Sequence, residues 1–221
     1  MKLRRIEEGA KKGFKKFWFL LWKDNSLKGW LFSMVFLFVF IKFIFFPVLN
    51  LITGTSLPLA IVESCSMYHH GNILSNFDEW YLKHDSKYSE LQITQSEFQD
   101  FIFKKGFSKG DILFIVGANP DKLKIGDIIA FKSGSRNVPI IHRIIEIKEE
   151  NGKRTFTTIG DNNAKVLIPS NNAGGVDERN IEEEQIVGKA VFRLAPTLGW
   201  IKLIFFESSK PVSERGFCKE N

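Results

Sequence analysis

Residues 29–51, GWLFSMVFLFVFIKFIFFPVLNL, carry one charge, Lys42, in 23 positions. As a helix at 1.5 Å per residue this run reaches about 34 Å, enough to cross a bilayer core of about 30 Å. It is longer than the apolar core of a cleaved leader, about 7–15 residues. Burying a helix that is apolar on every face takes a larger protein than these 221 residues supply. A single membrane span is therefore expected. Lys42 in mid-span has to snorkel, find a partner or lie near the outer interface. Pro47 is expected to kink the helix or mark where it leaves the lipid.

Charge placement orients the span. The first 28 residues hold nine basic side chains against three acidic ones, a net +6 that equals the charge of the whole chain. Basic residues ahead of a span stay in the cytoplasm, which puts the remainder outside. The expectation is a single-pass protein of the cell membrane, with the lipid bilayer as its first partner; charge alone leaves plasma and endoplasmic-reticulum membranes both open. No basic stripe or RNA-binding signature follows the head, so nucleic acid is not expected as a partner. Within the head, FKKFWFLLW (14–22) suits a helix lying on the inner leaflet or a packed first turn of the membrane helix.

Beyond the span the pattern changes to short β-branched runs at 112–116, 128–132, 140–148, 155–159 and 186–193, parted by Gly, Pro, Asn and Asp clusters. The fold class is mainly β, with an N-terminal transmembrane helix and a short helical insertion near 76–105, where charged and aromatic residues alternate at helical spacing. The organisation is a basic cytoplasmic head (1–28), the transmembrane helix (29–51), an extracytoplasmic β domain (52–207) and a flexible tail (208–221). GWIKLIFF (199–206) is too short to span and suits a last strand, a second foot on the membrane or burial against the domain.

Asn151-Gly152 between two strand-like runs is a strong signal for a type I′ hairpin. With Glu150 facing Lys153, counting back along an unbroken ladder sets His142 opposite Asp161, close enough for a carboxylate to orient an imidazole. Asp161 and Asn162 equally suit a plain turn.

Four segments occur in order behind the anchor: IVESCSM (61–67), GDII (126–129), IHR (141–143) and GDNN (160–163). Together they resemble the type I signal peptidases, and more narrowly the archaeal and endoplasmic-reticulum branch, which has histidine where most bacterial members have lysine. The resemblance covers about Val62 to Val191 and implies a serine endopeptidase that removes signal peptides from exported preproteins. It implies Ser66 as nucleophile, His142 as general base, Asp161 as support for His142, and the Ser66 N–H with the Ser64 hydroxyl at the oxyanion. It also implies association with the protein-export channel, no cofactor and no metal. A second aspartate is expected shortly after the GDN motif, for which Asp177 is the candidate. Ile61, Met67, Tyr68 and Ile129 are candidates for shallow subsites that select small side chains at the first and third positions before the cut. Two departures stand out: Cys65 where glycine is common before the nucleophile, and His69 where proline is common. Arg143 fits a His-Arg pair and equally a solvent-facing strand position.

Two rival readings remain open. A sortase-like cysteine transpeptidase would use Cys65 with His142 and Arg143, although sortases place the histidine ahead of the cysteine. A membrane-tethered binding module without catalysis would need none of these groups. Metal-dependent hydrolysis is disfavoured by only four histidines and no HExxH motif. Cys65 and Cys218 are expected as two free thiols.

Overall fold

The computed structural model describes residues 2–70, 77–133, 138–172 and 174–219; position 76, where the insertion is expected to begin, and 220–221 of the expected tail lie outside them. The chain divides into two compact units, Met1–Ile52 and Thr53–Asn221.

The first unit is helical. Helix α1 spans Lys2–Trp22 and α2 spans Leu27–Phe40. Ser26 separates them as an N-cap, its hydroxyl accepting from the Gly29 N–H at 3.2 Å. Residues 14–22 end a helix of their own, and Phe17 packs edge-to-face on Phe32 and Phe36 of α2. A π-helical turn, Ile41–Phe45, then leads into α3, Phe46–Thr53. Pro47 has no N–H to donate and its ring crowds the preceding turn. The wider turn ahead of it takes up that mismatch, and the helix continues instead of breaking. Leu27–Thr53 is thus 27 residues of apolar helix, about 40 Å long, exposing rings such as Phe38 and Phe43. A surface of that kind needs lipid. The Lys42 ammonium lies 5.7 Å and 5.4 Å from the centres of the Phe38 and Phe43 rings, which offsets part of its cost in the span.

The second unit is a curled, seven-stranded antiparallel half-barrel, in the order β1-β2-β7-β3-β4-β5-β6. Its strands are β1 (Leu59–Ile61), β2 (Ile112–Val116), β3 (Ile128–Phe131), β4 (Ile140–Glu150), β5 (Lys153–Ile159), β6 (Ile181–Glu182) and β7 (Ile186–Ala195). Strand alternation sends Ile128 and Ala130 into one core cluster with Leu113, Ile115 and Met67. Ile129 and Phe131 go to another, with Ile144 and Phe156. Helices α4 (Phe77–Glu90) and α5 (Gln95–Asp100) form the insertion and bury Trp80, Tyr88 and Phe98 against Ile145 and Ile159.

The β4–β5 hairpin begins as expected. Asn151 and Gly152 both have positive φ, and Glu150 faces Lys153. The ladder then breaks between Ile144 and Glu146. Ile145 is the extra residue of a β-bulge, and it inverts the alternation of β4: Ile147 faces the Phe156 cluster while Ile145 faces the insertion. The shifted register sets Arg143 opposite Ile159, so His142 does not oppose Asp161; on its other side His142 pairs with Ile129 of β3.

GWIKLIFF forms neither a strand nor a buried plug. Helix α6 (Trp200–Leu203) buries Leu203, while Ile201, Ile204 and Phe205 are 69%, 68% and 77% exposed.

Candidate active site

Ser66 sits in the turn that follows β1. The segment stays paired to its neighbour through Val62 N–H to Asp111 O at 2.9 Å, then turns as the Tyr68 N–H reaches Cys65 O at 3.1 Å. Met67, 1% exposed, plugs into the core and fixes the turn from below. Its sulfur accepts from the Asp161 N–H at 3.4 Å.

The turn docks on the GDNN segment. Asn162 N–H donates to Ser66 O at 2.7 Å, and its side-chain amide donates to Cys65 O at 3.1 Å. Gly160 permits this approach, because a Cβ there would lie 2.7 Å from Ser66 O and 2.9 Å from Ser66 Cβ. Gly160→Ala is therefore expected to displace the serine. Its labelling by a fluorophosphonate should slow by about 10- to 100-fold, the range for a nucleophile misplaced by up to an ångström. An unchanged labelling rate would show that the turn yields without moving Ser66.

His142 lies near the start of β4, 3% exposed, and its Nε2 is 2.7 Å from Ser66 Oγ. Its Nδ1 is in close contact with Glu178 Oε1. Glu178 is fully buried and fully partnered: Oε1 also accepts from the Thr158 hydroxyl at 3.1 Å, and Oε2 accepts from the Leu167 N–H at 2.8 Å. A carboxylate held this way fixes the Nδ1–H tautomer, leaving Nε2 free to take a proton from the serine. Ser64 Oγ lies 3.1 Å from Ser66 Oγ, and among the described residues the Ser66 N–H donates to no backbone carbonyl. The set can abstract a hydroxyl proton, stabilise the imidazolium and offer donors to an oxyanion.

Asp161, expected beside His142, is elsewhere. The bulge at Ile145 puts it on the Arg143 side of the sheet, where Nε and Nη2 of Arg143 meet its two oxygens at 2.9 Å and 2.7 Å. Nor does Arg143 face solvent. It is fully buried, gives its other N–H groups to the carbonyls of Ile102, Phe103 and Gly126, and lies over the Phe98 ring at 4.7 Å. His69 Nε2 reaches Asp161 at 3.0 Å and stacks on Trp80 at 3.5 Å, with Tyr88 OH 3.2 Å from the same carboxylate. Burial alone would raise the Asp161 pKa, but Arg143 and His69 reverse this and hold it far below the usual carboxylate range. Burial lowers the pKa of His69 against the pull of Asp161. Lys87, from α4, donates to Asp161 O at 2.6 Å and Asn163 O at 3.2 Å, and burial lowers its pKa to about 8.

Asp177 is also away from His142. It pairs with Arg179 at the surface at 2.7 Å, and that bond lowers its pKa. Sequence reasoning stopped one residue short, since Glu178 follows directly and turns inward. Of the proposed subsite residues, Ile61 and Tyr68 are half-buried, whereas Met67 and Ile129 are enclosed in the core. The expectation of free thiols is overturned: Cys65 and Cys218 form a disulfide. A bonded sulfur is no nucleophile, which removes the basis for a sortase-like use of Cys65.

No protein-family model matches the chain. Curated proteins do. The signal peptidase complex catalytic subunit SEC11C of Homo sapiens is 33% identical over 113 residues, 47% of this chain and 53% of that protein, and SEC11C of Canis lupus familiaris gives the same figures. The signal peptidase complex catalytic subunit SEC11 of the yeast Scheffersomyces stipitis is 28% identical over 102 residues, covering 46% of this chain and 59% of that protein. The chain spans about half the length of the curated relatives it matches. It is distantly related to these SEC11 proteins.

Proposed function

We propose that the chain is a membrane-anchored serine endopeptidase that removes signal peptides from exported preproteins, with Ser66 as nucleophile and His142 as general base. One observation carries this reading: Ser66 Oγ is 2.7 Å from His142 Nε2 while a buried carboxylate, Glu178, engages the other ring nitrogen. In the first half-reaction His142 takes the hydroxyl proton as Ser66 Oγ bonds to the scissile carbonyl carbon. The tetrahedral oxyanion is met by the Ser66 N–H and the Ser64 hydroxyl. The imidazolium, supported by Glu178, then protonates the departing amine, and water releases the acyl group by the same route in reverse. Asp161 acts on this chemistry only by holding the GDNN turn on which Ser66 rests, and Asp177 takes no part.

The relationship to SEC11 proteins supports the substrate class. The basic head supports a cytoplasmic N-terminus with the β unit outside. Ser66 follows the last residue of the apolar helix by 13 positions, which suits a cut just beyond a substrate's own apolar segment. The exposed apolar side chains around α6 suit contact with lipid. Substrates of such an enzyme arrive from the protein-export channel, which makes that channel the partner this reading implies. Ile61 and Tyr68 are the subsite candidates with accessible surface.

The test is cleavage of a preprotein by the full chain in detergent. One new N-terminus, directly after a small residue, is expected by mass spectrometry. Intact preprotein, under conditions where an established signal peptidase cuts it, overturns the reading.

A further inference from the structure

The residue before the candidate nucleophile is tied to the far end of the chain. Cys65 and Cys218, 153 positions apart, are joined with their Cα atoms 5.3 Å apart. The Asn162 amide that holds Cys65 O also donates to Lys219 O at 3.1 Å, and Lys210 Nζ donates to Glu63 O at 2.8 Å. At its base the same segment is pinned by Lys109, a lysine 2% exposed, which bonds the Glu207 carboxylate at 2.8 Å and Glu214 O at 2.7 Å. With Glu207, the stretch 208–219, expected to be loose, is a strap fastened to the nucleophile turn.

We propose that the Cys65–Cys218 disulfide is a positioning clamp for Ser66, so that the cleavage rate depends on the redox state of this pair. The inference rests on Ser66 being the nucleophile. Ser66 is half-buried on a surface turn, and its backbone is held on one side by Asn162 N–H at 2.7 Å. The Cys65–Ser66 peptide itself supplies the N–H assigned to the oxyanion. The disulfide restrains that peptide from the other side. Since misplacing a reacting atom by about an ångström costs up to about 100-fold in rate, a clamp on the preceding residue acts on the chemical step more than on substrate binding. Opening it needs a dithiol reductant. Two electrons and two protons pass to the pair, the S–S bond becomes two thiols, and the reductant closes to its own disulfide.

The experiment uses the full chain in detergent, with a fluorogenic peptide spanning a signal-peptide cleavage site and a fluorophosphonate to count reactive Ser66. Oxidised wild type is compared with dithiothreitol-reduced wild type, Cys218→Ser and the Cys65→Ser/Cys218→Ser double variant. The clamp predicts that kcat per labelled serine falls about tenfold or more while KM stays within twofold, and that reoxidation restores the wild type. Non-reducing peptide mapping should show the 65–218 link in the active form. Absence of that link overturns the clamp. So does an unchanged kcat per labelled serine, including the case where only the labelled fraction falls, since that is loss of fold alone. Faster turnover on reduction makes the strap an obstruction and also overturns it. Oxidised wild type that neither cleaves nor labels defeats the proposed function and the clamp with it, whereas an active wild type indifferent to reduction defeats the clamp alone.

Discussion

Ser66→Ala and His142→Ala should each lower preprotein cleavage by at least about a thousandfold, and the double variant should be no slower than either single one. Non-additivity follows from the geometry. At 2.7 Å the imidazole and the hydroxyl work as one proton-transfer unit, so removing either ends the same step. Substrate affinity should change little, because neither side chain supplies apolar binding surface: His142 is 3% exposed and its ring nitrogens are committed to Ser66 and Glu178. Single-turnover cleavage with enzyme in excess reads the chemical step directly. A Ser66→Ala protein that keeps a tenth of the wild-type rate would exclude Ser66 as nucleophile. Loss in Ser66→Ala with full activity in His142→Ala would point to another base. Ser66→Ala should fold normally, since its hydroxyl faces a half-open turn, whereas His142→Ala removes a buried ring and leaves Glu178 one partner short, so its rate is read per folded protein.

The sequence made some of this legible and hid the rest for definite reasons. An apolar run with one charge can be read directly, since it is long enough to cross a bilayer and the fold leaves it uncovered. Ser66 and His142 were legible through short segments in order, and the fold brings them together across 76 positions. The carboxylate was not. One bulge residue, Ile145, decides which side of β4 each later side chain faces, and a β-branched run gives no sign of where a bulge falls. The burial of Arg143 depends on rings contributed by the insertion, above all Phe98, and on three loop carbonyls that no local pattern reveals. Choosing between Asp177 and Glu178 needed the path of an irregular loop: the Leu167 N–H and Thr158 hydroxyl draw Glu178 inward, while Arg179 keeps Asp177 at the surface. The disulfide joins two cysteines whose spacing carries no signal, because it depends on where the last strand and α6 deliver the tail.

The two buried carboxylates should fail in opposite ways. Glu178→Gln is expected to leave the fold intact and lower kcat by about 10²- to 10⁴-fold. With the glutamine amide nitrogen toward His142, Nδ1 must accept, the proton moves to Nε2, and the ring can no longer take one from Ser66. With the amide reversed, the glutamine nitrogen meets the Leu167 N–H and one bond is lost. Asp161→Asn should instead destabilise the protein by about 3–5 kcal/mol, because it leaves the fully buried Arg143 cation without its counter-charge. A loss of that size is a large part of the roughly 5–15 kcal/mol that holds a domain together. Adding Arg143→Met should recover part of it, and only part, since the Ile102, Phe103 and Gly126 carbonyls lose their donor. The pH dependence follows from the same contacts. The Asp161 pKa is lowered on folding, so its contribution is complete above the unfolded value near 4 and is lost as the pH falls below it. The His69 pKa is also lowered, so the unfolded chain takes up the proton first and stability begins to fall below about pH 6.5. Both terms have the same sign, and acid unfolding of the wild type should set in through His69 before Asp161. Thermal denaturation of the wild type and Asp161→Asn between pH 7 and pH 3 measures this. The variant should start lower and lose less between pH 4 and pH 3, and parallel curves in that interval would show that the Arg143–Asp161 pair does not govern acid stability.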